Sequence, residues 1–175
     1  MAGQGMLIVL SGLPGTGKTT LARELARRLD AVHLRIDSIE TALARSVLRM
    51  RSAEDAGYVV AYAVAEDNLR LGHTVIADSV NPIELTRSAW RDVAARAGCD
   101  VVEVEVVCPD TAEHRRRVEE RTADIEGQRV PSWADVTARH YEPWTVERVV
   151  VDTAADTVDD CASDVLERLR NSNGR

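Results

Sequence analysis

Met6-Leu-Ile-Val-Leu10-Ser-Gly12-Leu-Pro-Gly15-Thr-Gly17-Lys18-Thr19-Thr20 decides the fold. Residues 6–10 form an uninterrupted apolar run, the pattern of a strand buried on both faces. Gly12 to Thr19 then reads G-x-x-x-x-G-K-T, and residues 18–29 follow with Leu21, Leu25 and Leu29 on one helical face. Strand, glycine-rich turn and helix together are the context in which this motif cradles a phosphate. Glycines let consecutive backbone N–H groups curl around an anion without Cβ interference, and the helix start adds partial positive charge. A lysine at 18 reaches the outer phosphates of a nucleoside triphosphate, and a hydroxyl at 19 can ligate Mg²⁺. The expected nucleotide contacts are Gly12, Leu13, Pro14, Gly15, Thr16, Gly17, Lys18, Thr19 and Thr20.

Composition sharpens the reading of Lys18. The 22 basic residues are 21 arginines and this one lysine. Arginine serves wherever else a positive charge is wanted, whereas position 18 takes a compact, flexible ammonium. The chain has 175 residues, 45% of them hydrophobic, which suits one domain over residues 1–175 with one substantial core. That excludes a disordered chain. No run approaches the ~20 apolar residues of a membrane-spanning helix. Residues 1–5 carry no basic region and 6–10 are too short for a signal peptide, so a cytoplasmic location is expected. A net charge of −7 argues against bulk attraction to nucleic acid or anionic lipid. Cys99, Cys108 and Cys161 show neither zinc spacing nor a disulfide framework and read as small buried hydrophobes.

Outward from the loop, segments 31–36, 73–77, 101–107, where Val and Glu alternate in part, and 148–151 read as four further strands. Helices are expected over 37–50, over 53–71 with Val59, Ala63 and Leu69 inward, and over 81–97 with Pro82 in its first turn. Three more are expected over 109–121, over 132–141 behind a Ser132 cap, and over 157–170. This alternation predicts right-handed βαβ units: a three-layer α/β sandwich, its five-stranded parallel sheet covered by helices on both faces. Ligands on such sheets sit at the carboxyl ends of the strands, where residues 12–19, Asp37 and Asp78 fall.

Asp37, about twenty residues after the loop, is placed to take the proton of an attacking hydroxyl, and it equally suits a helix N-cap. Asp78 can support a Mg²⁺-bound water or orient an acceptor, and it also suits a turn. Glu40, one turn beyond Asp37, reads as a rim carboxylate. Arg117 and Arg121, four apart, offer planar donors to a moving phosphoryl group, in competition with local pairs such as Arg117–Glu120 and Arg121–Glu113. Residues 115–142, including a loop bearing Gly127, read as a small lid. Trp133, Tyr141 and Trp144 read as packing residues, and Tyr58 with Tyr62 as one packed helix face. A guanine-reading N-K-x-D is absent, and Ile76-Ala-Asp-Ser79 offers no acidic pair of the motor ATPase kind. ATP and a small kinase are the expected outcome.

The assembled pattern resembles the small P-loop kinases: polynucleotide 5′-hydroxyl kinase, zeta toxins, chloramphenicol phosphotransferase, gluconate kinase and the AAA-type predicted kinases. The resemblance spans nearly the whole chain. It implies a P-loop NTPase fold with Asp37 as general base. Val75-Ile-Ala-Asp-Ser-Val-Asn-Pro82 is similar to the polynucleotide kinase stretch ending Asp-x-x-Asn-Pro. Arg117 and Arg121 match that enzyme's lid arginines, and Val130-Pro131 its lid exit. Val151-Asp152-Thr153 resembles a segment near the adenine, which adds Asp152 and Thr153 to the nucleotide contacts. One position departs: Glu40 stands where polynucleotide kinase has an arginine that holds the acceptor's phosphate. The resemblance thus implies ATP- and Mg²⁺-dependent transfer to a hydroxyl of a neutral or cationic small molecule, such as an antibiotic, sugar or nucleoside. Thr19 and Asp78 would serve the metal, and Asp37, Glu40, Asp78 and Arg45 the acceptor. Arg45, Arg49 and Arg51 keep an anionic acceptor, and hence a nucleotide or polynucleotide kinase, in view. A nucleotide-dependent switch and a toxin-like kinase are the remaining alternatives.

Overall fold

β1 (Leu7–Ser11) is buried at all five residues because it lies between two other strands and under helices on both sides. A computed structural model describes residues 5–47 and 55–172, with side chains to residue 170. After β1 come α1 (Lys18–Leu29), β2 (Val32–Arg35), α2 (Ile36–Arg45), α3 (Ala56–Arg70), β3 (Val75–Asp78) and α4 (Glu84–Ala97). β4 (Val101–Val107), α5 (Thr111–Glu120), α6 (Trp133–Thr137), β5 (Val149–Asp152) and α7 (Val158–Ser172) complete the order. The sheet runs β2-β3-β1-β4-β5 with every pairing parallel.

The alternation along β1 divides the core. Ile8 and Leu10 pack with Leu21 and Leu25 of α1 and Val165 of α7. Leu7 and Val9 point the other way, to Ala61 and Ala65 of α3 and Trp90 and Val93 of α4. Three layers result, as the strand and helix alternation predicts. From β1 the chain goes out to β2 and back to β3, then crosses β1 to reach β4 on its other side, so a crevice opens at the carboxyl ends of these strands. Among the described residues no helix is long and apolar enough to cross a membrane.

Several expectations give way. α2 starts at Ile36, which puts Asp37 inside its first turn; Arg35 takes the cap position and no side chain caps the helix. The helix ends at Arg45, and residues 48–54, with Arg49 and Arg51, lie outside the described residues. On α3 the inward row is Gly57, Ala61, Ala65 and Leu69, whereas Val59 and Ala63 face outward. Small side chains let this helix lie close to its neighbours, so its buried stripe is not its most hydrophobic one. α4 begins at Glu84, leaving Pro82 outside. Asn81 adopts φ 46°, and the cap is supplied from afar: the Glu142 carboxylate accepts the Glu84 N–H at 2.7 Å. α6 is a single short helix closed by a reciprocal Ser132–Asp135 capping box. Cys108 and Cys161 are buried and Cys99 is half-buried, all three free.

Arg87 on α4 is fully buried. Its Nε donates to Asn81 O at 2.9 Å and an Nη to Glu142 O at 2.9 Å. Its guanidinium stacks over Trp144, 4.1 Å from the ring centroid, and faces Tyr141 at 5.0 Å. The two aromatic residues are packing residues, as expected. One planar group thereby pins residues 141–144 to the start of α4. Arg87→Ala strands several buried carbonyls and is expected to cost on the order of 3 kcal/mol in urea unfolding, with Arg87→Lys recovering little because the fork is lost.

Candidate active site

The loop between β1 and α1 turns through glycines with left-handed backbone. At Gly15, φ is 83° and a Cβ would stand 2.5 Å from Val118 Cγ2, so the α5 side chain occupies that space. Gly17, φ 94°, ends the loop where α1 begins. The Thr16 hydroxyl donates to Leu13 O at 2.9 Å and the Lys18 ammonium donates to the same carbonyl at 2.8 Å. Lys18 is buried, and desolvation pushes its pKa down to about 8 against the pull of Asp78 and Asp37. His114 bonds Pro14 O through Nε2 at 2.8 Å, with Trp133 edge-on to its imidazole, which ties α5 and α6 to the loop.

Asp78, at the end of β3, is buried beside Lys18. Burial raises its carboxyl, but His33, the Lys18 charge and the Thr19 hydroxyl more than offset this and hold it below the usual range. His33 Nε2 lies 3.2 Å from Asp78 Oδ2. Thr19, Asp78 and Lys18 thus share one corner of a cavity of about 1350 Å³ that also reaches Asp37, Glu40 and Thr153.

Asp37 projects from the first turn of α2, its side chain 42% exposed. Gln128 Nε2 donates to Asp37 Oδ2 at 2.8 Å, and guanidinium nitrogens of Arg35 and Arg121 lie 3.7 and 4.0 Å from the same oxygen. Arg121 therefore faces Asp37 instead of Glu113. Arg117 pairs with Glu113 at 2.6 Å, not Glu120, and reaches Thr153 Oγ1 and O at 2.9 and 2.8 Å. The Thr153 hydroxyl in turn lies 2.7 Å from Thr16 O, linking β5 to the phosphate loop. Asp152 turns away: its carboxylate accepts from Ala154 N–H at 2.8 Å.

The loop after α5 is held by ion pairs. Arg35, buried at the end of β2, grips both oxygens of Asp124 at 2.8 and 2.9 Å, and Arg23 adds a bond of 2.6 Å. Arg45 donates to Glu126 O at 2.9 Å and lies alongside Gly127, away from the cavity wall. Gln128, Arg35, Asp124, His33 and Arg139 escaped the sequence reading. Of these only Arg35 left a trace, as a charged residue closing an apolar strand next to Asp37.

Comparison with known proteins fits this geometry. A family model described as an AAA domain matches residues 7–143. The chain belongs to that family. Adenylyl-sulfate kinase from Synechococcus sp. (strain JA-3-3Ab) is 28% identical over 98% of this chain and 97% of its own length. Shikimate kinase from Frankia casuarinae is 32% identical over 91% of this chain and 71% of its own. The Mycobacterium tuberculosis APS kinase, solved with AMPPNP and APS, has the same fold, with a TM-score of 0.70 and 22% identity over 96% of this chain and 99% of that one. The chain is a small P-loop kinase.

The Asp124 carboxyl is held well below the usual range, chiefly by the Arg35 hydrogen bonds. A depressed carboxylate contributes stability above its ordinary value of about 4, and that contribution is lost as pH falls through the lowered one. The loop therefore stays anchored at pH 5. Asp124→Asn releases it at neutral pH, and trypsin is expected to cut after Arg129 about fivefold faster than in the parent protein.

Proposed function

We propose that this kinase transfers the γ-phosphoryl group of ATP to a hydroxyl of a small molecule such as an antibiotic, sugar or nucleoside, with Asp37 as general base. One observation carries the reading: a half-exposed carboxylate, oriented by Gln128, opens into the same cavity as Lys18 and beside Arg121. The hydroxyl proton passes to Asp37, the new O–P bond forms, the bond from the γ-phosphorus to its bridging oxygen breaks, and ADP departs. Lys18, Arg117 and Arg121 balance charge on the transferring oxygens. Residues 12–20 hold the phosphates, and Thr153 with Arg117 closes the side nearest the adenine. The Thr19 hydroxyl, with the Asp78 carboxylate behind it, is a hard oxygen pair that suits Mg²⁺. When bound, Mg²⁺ neutralises the β- and γ-phosphate oxygens. Residues 1–175 act as one cytoplasmic domain in which 115–142 serve as the lid. A second reading, an anionic acceptor like that named for the adenylyl-sulfate kinases, is favoured by Arg139, which lines the cavity with a guanidinium that makes no hydrogen bond or ion pair to another described residue.

Asp37→Asn is the test, in Mg·ATP turnover against hydroxyl acceptors. Turnover is expected to drop about a thousandfold with ATP affinity kept; full activity in this variant overturns the assignment. The free Lys18 ammonium titrates near 8, and phosphates raise its pKa in the complex. Calorimetry should therefore find ATP affinity level below that pH and falling above it, with a proton taken up on binding.

A further inference from the structure

The acceptor end of the cavity holds a carboxylate that phosphoryl transfer leaves unused. Glu40 follows Asp37 by three residues on α2, so both carboxylates lie on one face, with Cβ atoms about 5–6 Å apart. The Glu40 side chain is seated over Gly57 of α3, where a Cβ would stand 2.5 Å from Glu40 Cγ. It is half-buried and forms no hydrogen bond or ion pair with any described residue. Burial pushes its carboxyl up, the Asp37 charge adds to this, and Arg139 opposes it.

The other charges around it leave a negative balance. Arg35 is spent on Asp124, Arg121 faces Asp37, and Arg129 faces Asp135. Lys18 and Arg117 belong to the phosphate side. With Asp37 matched by Arg121, Glu40 and Asp55 stand against Arg139 at this end among the described residues.

A second observation concerns the walls. Val59 of α3 and Leu85 of α4 flank the same mouth and are 55% and 74% exposed, on either side of Tyr62. The Tyr62 hydroxyl donates to Thr86 O at 3.3 Å and joins the two helices. Large apolar side chains left open on two elements around one cavity suit an apolar ligand body.

We infer that the phosphoryl acceptor is an amino alcohol with an apolar body: its hydroxyl meets Asp37, its ammonium meets Glu40, and its body lies on Val59, Tyr62 and Leu85. This rests on the transfer reading above and names its substrate class. A partly desolvated carboxylate without a partner is unfavourable, and a matching cation offsets that cost.

The experiment offers the full chain Mg·ATP and three matched acceptor sets: arylalkyl amino alcohols such as phenylalaninol, amine-free alcohols such as 3-phenyl-1-propanol, and hydroxy acids such as phenyllactate. Phosphorylated products are quantified by mass spectrometry, and nucleotide affinity serves as the check on folding. The amine set is expected to be preferred over the amine-free set by about tenfold or more in kcat/KM. Glu40→Gln collapses that ratio toward one, and Glu40→Asp restores part of it. Preference for the neutral or acidic set, or a preference for amines that Glu40→Gln leaves intact, overturns the amine subsite while Asp37-dependent transfer stands. Absence of transfer to all three sets with nucleotide affinity intact overturns the apolar-bodied amino alcohol, and the transfer reading is decided separately by the Asp37→Asn assay above.

Discussion

A buried guanidinium at the end of β2 organises the cavity. Arg35 grips both oxygens of Asp124, and through that grip the loop after α5 is drawn across the carboxyl ends of the strands. Only with the loop there does Gln128 meet Asp37, and only with α5 ending there does Arg121 face the same carboxylate. The pair is bidentate and its arginine is almost wholly removed from water, the geometry in which an ion pair carries structural weight. One strand end therefore sets the position of a helix start, a loop and the Asp37 carboxylate together.

The same economy explains the basic residues. Arg35 and Arg87 each use a rigid planar fork to join segments far apart in sequence, Arg87 holding the backbone after α6, and Arg91 uses the same fork to bridge Glu84 of its own helix and Glu103 of β4. None of these tasks asks a side chain to change its charge. Lys18 differs, because its ammonium is buried, hydrogen-bonded to a carbonyl and not to a carboxylate, and desolvation lowers its affinity for the proton. A chain that otherwise builds in arginine keeps lysine where titration and reach matter.

What was legible in the sequence is what short-range physics determines. The strand, turn and helix around Lys18 and the continuous Val-rich β4 follow from local patterns that each element must satisfy alone. The inward face of α3 was misread because close packing selected glycine and alanine there, leaving valine outside. The start of α4 was misplaced because its cap is Glu142, 58 residues away in sequence. Asp37 was visible as a carboxylate after a strand, but its partner Gln128 and the Asp124 that anchors the same loop to Arg35 sit in a stretch with no motif, and the bond to Gln128 spans 91 residues. Spatial neighbours of that kind leave no periodic trace.

The two apolar clusters on opposite sides of the sheet divide the labour of the cavity. The phosphate-loop end rests on α1 and α7, the proposed acceptor end on α3 and α4, and β1 is shared between them by alternate residues. Substitutions that reshape one layer reach the other through the sheet, where β1 and β3 both give alternate residues to the two sides. The phosphate-holding half can thus stay constant over evolutionary time while the opposite half drifts, so new acceptors are tried by descendants that never relearn how to hold ATP.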